Sequence, residues 1–219
     1  MWRLFPDTRR FGAFPWLLIV LTFASGLVDA ASFLGLGHVF AANMTGNVVF
    51  CGFALAGAAG LSAAGSLTAL SAFLLGAAAA GRWRRGGTGV PFRPLVGVQT
   101  VLLAAALVAH QAGAGRYPVL VLMGTAMGLQ NAVAHRLAVP DLTTTVLTRS
   151  LTGLAADHWG APSLRRLLSA LTLLLGALTG ALVLLHAGLG WALALAVAVP
   201  PVAAAAHLAY ERRGGFRPA

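Results

Sequence analysis

The sequence predicts an all-α integral membrane protein: about six transmembrane helices, two short re-entrant or half-helices, and an inverted internal repeat. Three observations carry this prediction. Of 219 residues, 58% are hydrophobic and 9% charged, against about 25% charged in an ordinary soluble domain, and twenty charged side chains cannot cover a soluble surface of this size. Mean hydropathy is +0.84, and several uncharged runs approach or exceed the roughly 18–20 residues that cross a hydrocarbon core. The arginines sit at segment ends, where they set topology.

Hydropathy and helix breakers divide the chain into eight apolar segments. The first, Phe14–Gly35, follows Arg9 and Arg10 and runs past the small-residue Val28-Asp29-Ala30 site. It is longer than a signal-peptide core, so retention as a membrane helix is expected. Next comes Asn43–Gly60, whose polar Asn43-Met44-Thr45-Gly46-Asn47 start leaves only 13 clearly apolar residues. Leu61–Ala80, Leu95–His110 and Pro118–Val139 are long enough to span. Thr143–Ala156, by contrast, has 14 residues, reaches about 21 Å as a helix, and contains Arg149 and five threonines. Leu167–His186 and Gly190–Tyr210 complete the set. Only Gly81–Pro94 and Asp157–Arg166 resemble real loops. Trp16, Trp83, Tyr117, Trp159, Trp191 and Tyr210 fall near segment ends, where interfacial aromatics belong.

Arginine placement decides which segments cross. By the positive-inside rule Arg3, Arg9 and Arg10 put the N-terminus in the cytoplasm. If every segment crossed, the loop with Arg82, Arg84, Arg85 and Arg93 would lie outside. Treating Asn43–Gly60 and Thr143–Ala156 as re-entrant returns that loop, Arg165–Arg166 and Arg212–Arg213–Arg217 to the inside, and leaves Arg116 in an outside loop. Both termini are then cytoplasmic, in a multi-pass protein of the bacterial inner membrane. Residues 1–219 form a single membrane domain, with one repeat over 14–112 and a second over 118–210.

The repeat is readable locally. Gly26-Leu27-Val28-Asp29-Ala30 recurs as Gly128-Leu129-Gln130-Asn131-Ala132, 102 positions later. Met44-Thr45-Gly46-Asn47 recurs loosely as Leu147-Thr148-Arg149-Ser150. With the topology above, the first helix of each half runs in opposite directions. Inverted repeats of this kind place sites at the repeat interface near the midplane.

Composition excludes several classes of function. All fifteen basic residues are Arg, so lysine-base and Schiff-base chemistry are absent. Cys51 is the single cysteine, which excludes an intrachain disulfide and cysteine metal clusters. His38, His110, His135, His158, His186 and His207 are scattered, without H-E-x-x-H or a carboxylate cluster, so no metal site is expected. The sequence contains no P-loop, dinucleotide fingerprint or G-x-S-x-G. No enzyme activity and no cofactor are therefore expected. The net charge of +10 reflects topology rather than nucleic-acid binding. The expected partners are the lipid bilayer and a small solute, and a homo-oligomer is compatible with the sequence. Gly176 and Gly180 form a G-x-x-x-G pair suited to close helix packing.

The same stretches carry a family resemblance. Gly26–Asn47 (G-L-V-D-A-A-S-F-L-G-L-G-H-V-F-A-A-N-M-T-G-N), G-L-Q-N-A at Gly128–Ala132 and P-D-L-T-T-T-V-L-T at Pro140–Thr148 resemble the YoaK-like family of bacterial inner-membrane proteins, a domain of unknown function. The resemblance covers nearly the whole chain and implies about six helices, with no established substrate. One departure from the family pattern is Arg149, where the resemblance has Gly.

Nine residues are candidates for a central polar site: Asp29, Asn43, Thr45, Asn47, Gln130, Asn131, Thr144, Thr148 and Arg149. An intramembrane acid such as Asp29 is costly unless it faces protein or water. It serves either as a proton carrier or as a hydrogen-bond acceptor for the broken segment that follows. Asn43, Thr45 and Asn47 sit where a half-helix starts and its dipole favours anionic or polar groups; plain capping is the competing reading. Thr143, Thr144, Thr145 and Thr148 are their second-half counterparts. Arg149 pairs with an acid such as Asp29, snorkels to a vestibule, or binds an anionic solute, with pairing favoured. Asp141 and Asp157 read as surface caps. The functional expectation is a small transporter or channel for a small polar or anionic solute, proton-coupled through Asp29; the alternative is a non-transporting scaffold or accessory subunit.

Overall fold

The computed structural model describes residues 14–82, 92–139 and 147–212. Among them are eight helices in chain order: α1 (Phe14–Gly35), α2 (Met44–Leu55), α3 (Ala63–Arg82), α4 (Phe92–Gln111), α5 (Arg116–Leu137), α6 (Thr148–Ala156), α7 (Ala161–Ala187) and α8 (Leu189–Arg212). No strand occurs among the described residues. Six of the helices are long and apolar enough to cross a membrane; α2 and α6, at 12 and 9 residues, are not.

Contacts at the helix ends define two opposite ends of the bundle. At the first, Arg136 of α5 donates to the Gly81 carbonyl at the end of α3. Phe14 of α1 packs against both Phe92 of α4 and His207 of α8, and Arg93 meets Glu211 at 3.6 Å. At the second end, a His38 ring nitrogen lies 3.2 Å from the Gly60 carbonyl. Arg116 reaches Ser62 at 3.5 Å and closes on Gly37, and Gly190 faces the His110 ring. The six long helices therefore alternate in direction, and α2 leaves the second end and returns to it. The segment carrying α6 does the same at the first end, because α7 runs parallel to α1 and must start where α5 stops.

Backbone contact sets the parallel pairing. A Cβ on Gly26 of α1 would fall inside the backbone of Leu173 and Ala177 of α7, and one on Gly176 would fall inside Phe23. The crossing of α3 and α5 is built the same way: Gly128 lies on the Phe73 and Ala77 backbone, and Gly76 on that of Thr125. These glycines let the helix axes approach until backbones touch, so dispersion and Cα–H···O contacts hold the pairs where no hydrophobic driving force acts. Around the crossings, α4 packs along α5, and α8 along α1 and α4. Leu27, Val28, Leu120, Met123, Met127 and Leu193 share the central cluster.

Segment bounds differ from the sequence reading in two places. Asn43–Gly60 is helical only over Met44–Leu55, because Gly57 and Gly60 take positive φ and turn the chain back. Asp157–Arg166 is not a loop throughout: α7 already begins at Ala161, with a proline in its first turn. That proline suits a helix start, since its missing N–H would find no partner there. Arg165 and Arg166, which read as loop charges, are helical, and Arg165 is buried. The expected loop Gly81–Pro94 lies mostly outside the described residues, as do Thr143–Thr145 and Asp141.

Replacing Gly26 or Gly128 by Ala is expected to destabilise the protein by about 1–3 kcal/mol, the usual cost of overpacking. Gly97→Ala, in open space on α4, should leave the thermal midpoint in detergent unchanged or slightly raised. Equal midpoints for all three variants would remove the backbone crossings as the basis of the fold.

Candidate functional site

Two groups of polar residues in the interior are joined by hydrogen bonds between helices or to the broken segment. The first surrounds the broken segment between α1 and α2, whose Val39, Ala41 and Ala42 are buried. Backbone N–H groups at this depth find no water, and each must be satisfied within the protein. Asp29, in the C-terminal half of α1, accepts the Ala42 N–H at 2.7 Å and the Asn43 N–H at 3.4 Å through one carboxylate oxygen. One turn on, the Ser32 hydroxyl accepts the Ala41 N–H at 3.0 Å and donates to the Asp29 carbonyl. Asn47, buried in the first turn of α2, brackets Phe40: its amide nitrogen donates to the Phe40 carbonyl at 2.7 Å and its oxygen accepts the Phe40 N–H at 2.9 Å. Asn43 caps α2 by accepting the Gly46 N–H at 3.3 Å.

Aromatic packing closes the same turn. Phe33, Phe40 and Phe50 stack at centroid distances of 4.7 and 5.8 Å. A Cβ on Gly46 would stand 2.8 Å from the Phe40 ring, so Gly46 gives Phe40 its seat.

The second group lies where α1, α4 and α5 meet. Gln99 of α4 donates to Gln130 of α5 at 2.6 Å. The Gln130 amide nitrogen then donates to Ser25 Oγ at 2.7 Å and to the Leu21 carbonyl at 3.1 Å. All three side chains are buried, so each hydrogen bond acts in a low dielectric and none can be exchanged for one to water.

The nine candidates are distributed accordingly. Asp29, Asn43 and Asn47 come together at the first group, while Gln130 belongs to the second. Asn131, one position beyond Gln130 and half-buried, donates to the Met127 carbonyl of its own helix at 3.0 Å. Thr45 is exposed in the first turn of α2, and Thr148 is exposed at the start of α6. Thr144, with Thr143 and Thr145, lies outside the described residues, as does the side chain of Arg149, and with it the expected pairing of Arg149 with Asp29. For Asp29 the acceptor reading is realised: its carboxylate binds backbone N–H groups of the broken segment. Asp157 ends α6 and pairs with Arg166 at 2.5 Å. No group of three potential metal ligands occurs among the described residues.

Sequence reasoning missed Ser25, Ser32 and Gln99. Gln99 carried a usable signal, an amide in the middle of an otherwise apolar span. The two serines carried none, since serine is ordinary in membrane helices.

Residues 17–206 match the family described as "Protein of unknown function (DUF1275)". The "UPF0700 transmembrane protein YoaK" of Bacillus subtilis (strain 168) is 33% identical over 150 residues, which is 66% of this chain and 67% of that protein. No solved structure matches.

Asn47→Ala would strand both backbone groups of Phe40. The expected loss is about 1–3 kcal/mol for each buried group left unsatisfied, read as a lower thermal midpoint. Thr45→Ala should be silent, and Asp29→Asn, which keeps the acceptor oxygen, should be milder than Asp29→Ala. If Asn47→Ala were as silent as Thr45→Ala, the bracket on Phe40 would have no structural weight.

Proposed function

The chain belongs to the family described as protein of unknown function DUF1275, and from that premise we propose that it is a small membrane transporter or channel built from two inverted repeats, 14–112 and 118–210. Its solute is small and polar or anionic. Both termini face the cytoplasm of a bacterial plasma membrane, and Asp29 couples movement to protons. One observation carries this reading: two short helices stand at opposite ends of the bundle, α2 at one and α6 at the other, each packed on the long helix that follows it. Interrupted backbone at membrane depth is tolerated only where it is buried in protein or lines a water-filled cavity. In transporters such breaks face each other across the repeat interface. The matched glycine crossings of α1 with α7 and of α3 with α5 support the repeat. With α1, α2, α3 and α4 mapped onto α5, α6, α7 and α8, the pairing of α4 with α5 becomes that of α8 with α1.

A second reading has its own support. Asp29, Ser32 and Asn47 all bind backbone groups, which is what a non-transporting scaffold would require of them.

Vesicle swelling separates the two. Purified protein in lipid vesicles, placed in iso-osmotic solutions of small neutral polar solutes or salts of small anions, should swell faster than empty vesicles for at least one solute. An imposed proton gradient should speed that swelling in the wild type and fail to do so in Asp29→Asn. If no solute in the panel produced swelling, and Thr45→Cys in a Cys51→Ala background stayed unreactive to an impermeant thiol reagent, the scaffold reading would stand instead. Orientation has a separate check: with Cys51→Ala, a cysteine at Gly115 should label from outside intact cells while one at Gly87 stays protected. Labelling at Gly87 would reverse the topology.

A further inference from the structure

We propose that the bundle is two rigid units that rock against each other about the crossing of α1 and α5, through hinges at Gly37–His38 and Ala138. The movement rests on contacts alone, and only its purpose rests on the transport reading above. One unit is α1 and α7 with α6 and α8; the other is α5 and α3 with α2 and α4.

The first argument is the difference between contacts within and between units. Inside each unit the glycine crossings put backbone on backbone, and such surfaces can neither slide nor part without losing their contacts outright. Between units the contacts run along α4 and α8 and where α1 passes α5, and the cluster at their centre is of side chains, Met123 and Met127 among them; methionine adapts to a shifted partner at small cost. The polar connection across the seam, Gln130 to Ser25 and Leu21, lies near the middle of both helices. A hydrogen bond placed there moves least when the ends move most.

The second argument is the backbone. The chain passes from one unit to the other in two places, between α1 and α2 and between α5 and α6. Among the described residues two non-glycine residues have positive φ: His38 at 58° and Ala138 at 45°. One stands in each passage, and Gly37 at φ 92° adjoins the first. Hinges are short stretches that absorb backbone change while the packed elements move as bodies, and non-glycine residues in the left-handed region are already away from their preferred wells.

The third argument is that each end carries contacts joining the units. At one end Asp29 and Ser32 of α1 hold residues 41–43, which lead into α2 of the other unit, and His110 of α4 faces Gly190 of α8. At the other end Phe92 and Arg93 of α4 meet His207 and Glu211 of α8. Rocking opens one set while the other stays closed.

Hydrogen exchange read by mass spectrometry in lipid nanodiscs tests this, because the clasped N–H groups of residues 41–43 exchange only when the first set lets go. In a Cys51→Ala background, His110→Cys with Gly190→Cys is bridged by a short reducible bifunctional thiosulfonate, and so, separately, is Phe92→Cys with His207→Cys. The reduced form of each protein is its own folding control. Bridging the 110–190 pair should slow exchange at 41–43 by about tenfold or more, as when the one conformer that exposes them is removed from the ensemble. Bridging the 92–207 pair should leave that exchange unchanged or faster. Equal exchange in all forms would mean that the 36–43 segment opens by itself, and equal slowing by both bridges would mean that the ends do not move in opposition; either result overturns the proposal. Neither depends on finding a solute, so a negative swelling experiment and a negative exchange experiment remain distinct failures.

Discussion

Everything distinctive in this protein follows from the absence of water at the depth where α1 gives way to α2. A helix satisfies its own backbone, but a turn inside a membrane does not. The segment 39–43 is such a turn, and three side chains from two helices are spent on it: Asp29, Ser32 and Asn47. The Asp29 carboxyl does the most of the three, since one oxygen accepts two of the turn's N–H groups. Those two N–H partners in turn satisfy an acid that is costly at this depth unless it faces protein or water. The acid and the break therefore require each other, and neither is an ornament on a bundle that would form without it.

The second constraint is distance between backbones. Lipid tails solvate leucine as well as another helix does, so the long helices cohere by fit rather than by escape from water. Gly26, Gly176, Gly76 and Gly128 make that fit possible where α1 meets α7 and α3 meets α5. Exposed leucines such as Leu174, Leu175 and Leu185 on α7 face where lipid belongs, which is why the hydrophobic surface that would condemn a soluble protein is ordinary here. Tight crossings also locate α2 and α6, each of which packs on the long helix that follows it.

Most of this architecture was legible in the sequence because membrane topology is written in coarse features. Six spans and two short helices follow from run length, from the polar start Asn43–Asn47 and from arginine placement, and the described helices agree. The Gly176…Gly180 pair was legible as a packing signal, and Gly180 does lie on Leu27 and Ala30. What was not legible depended on register between distant helices. Nothing local says that Gln99 will reach Gln130, or that Ser25 will receive its amide, because those contacts are set by where α1, α4 and α5 cross. Arg165 and Arg166 misled for the opposite reason: charges shortly after a proline look like a loop, yet the proline stands in the first turn of α7 and both arginines follow in its second. Asp29 was recognised as out of place, but its N–H partners on Ala42 and Asn43 follow only from where the segment after α1 folds back.

The matched stretches Gly26–Ala30 and Gly128–Ala132 differ where they carry polar groups. In the local sequence match Asp29 aligns with Asn131, and Val28 with Gln130. In the first half the polar residue clasps the following turn; in the second, Asn131 donates back to its own helix at Met127, while Gln130, one position earlier, turns across the seam to α1. The two matched stretches thus do different work: one carries the ionisable clasp at the break after α1, and the other carries a neutral link to α1. An acid repeated at both positions would place two charges on the helices that cross at the seam, where mutual repulsion and shared desolvation oppose folding. One acid and one amide avoid that cost, leaving a single titratable group in the described interior of α1 and α5 and a neutral hydrogen-bonded link between them.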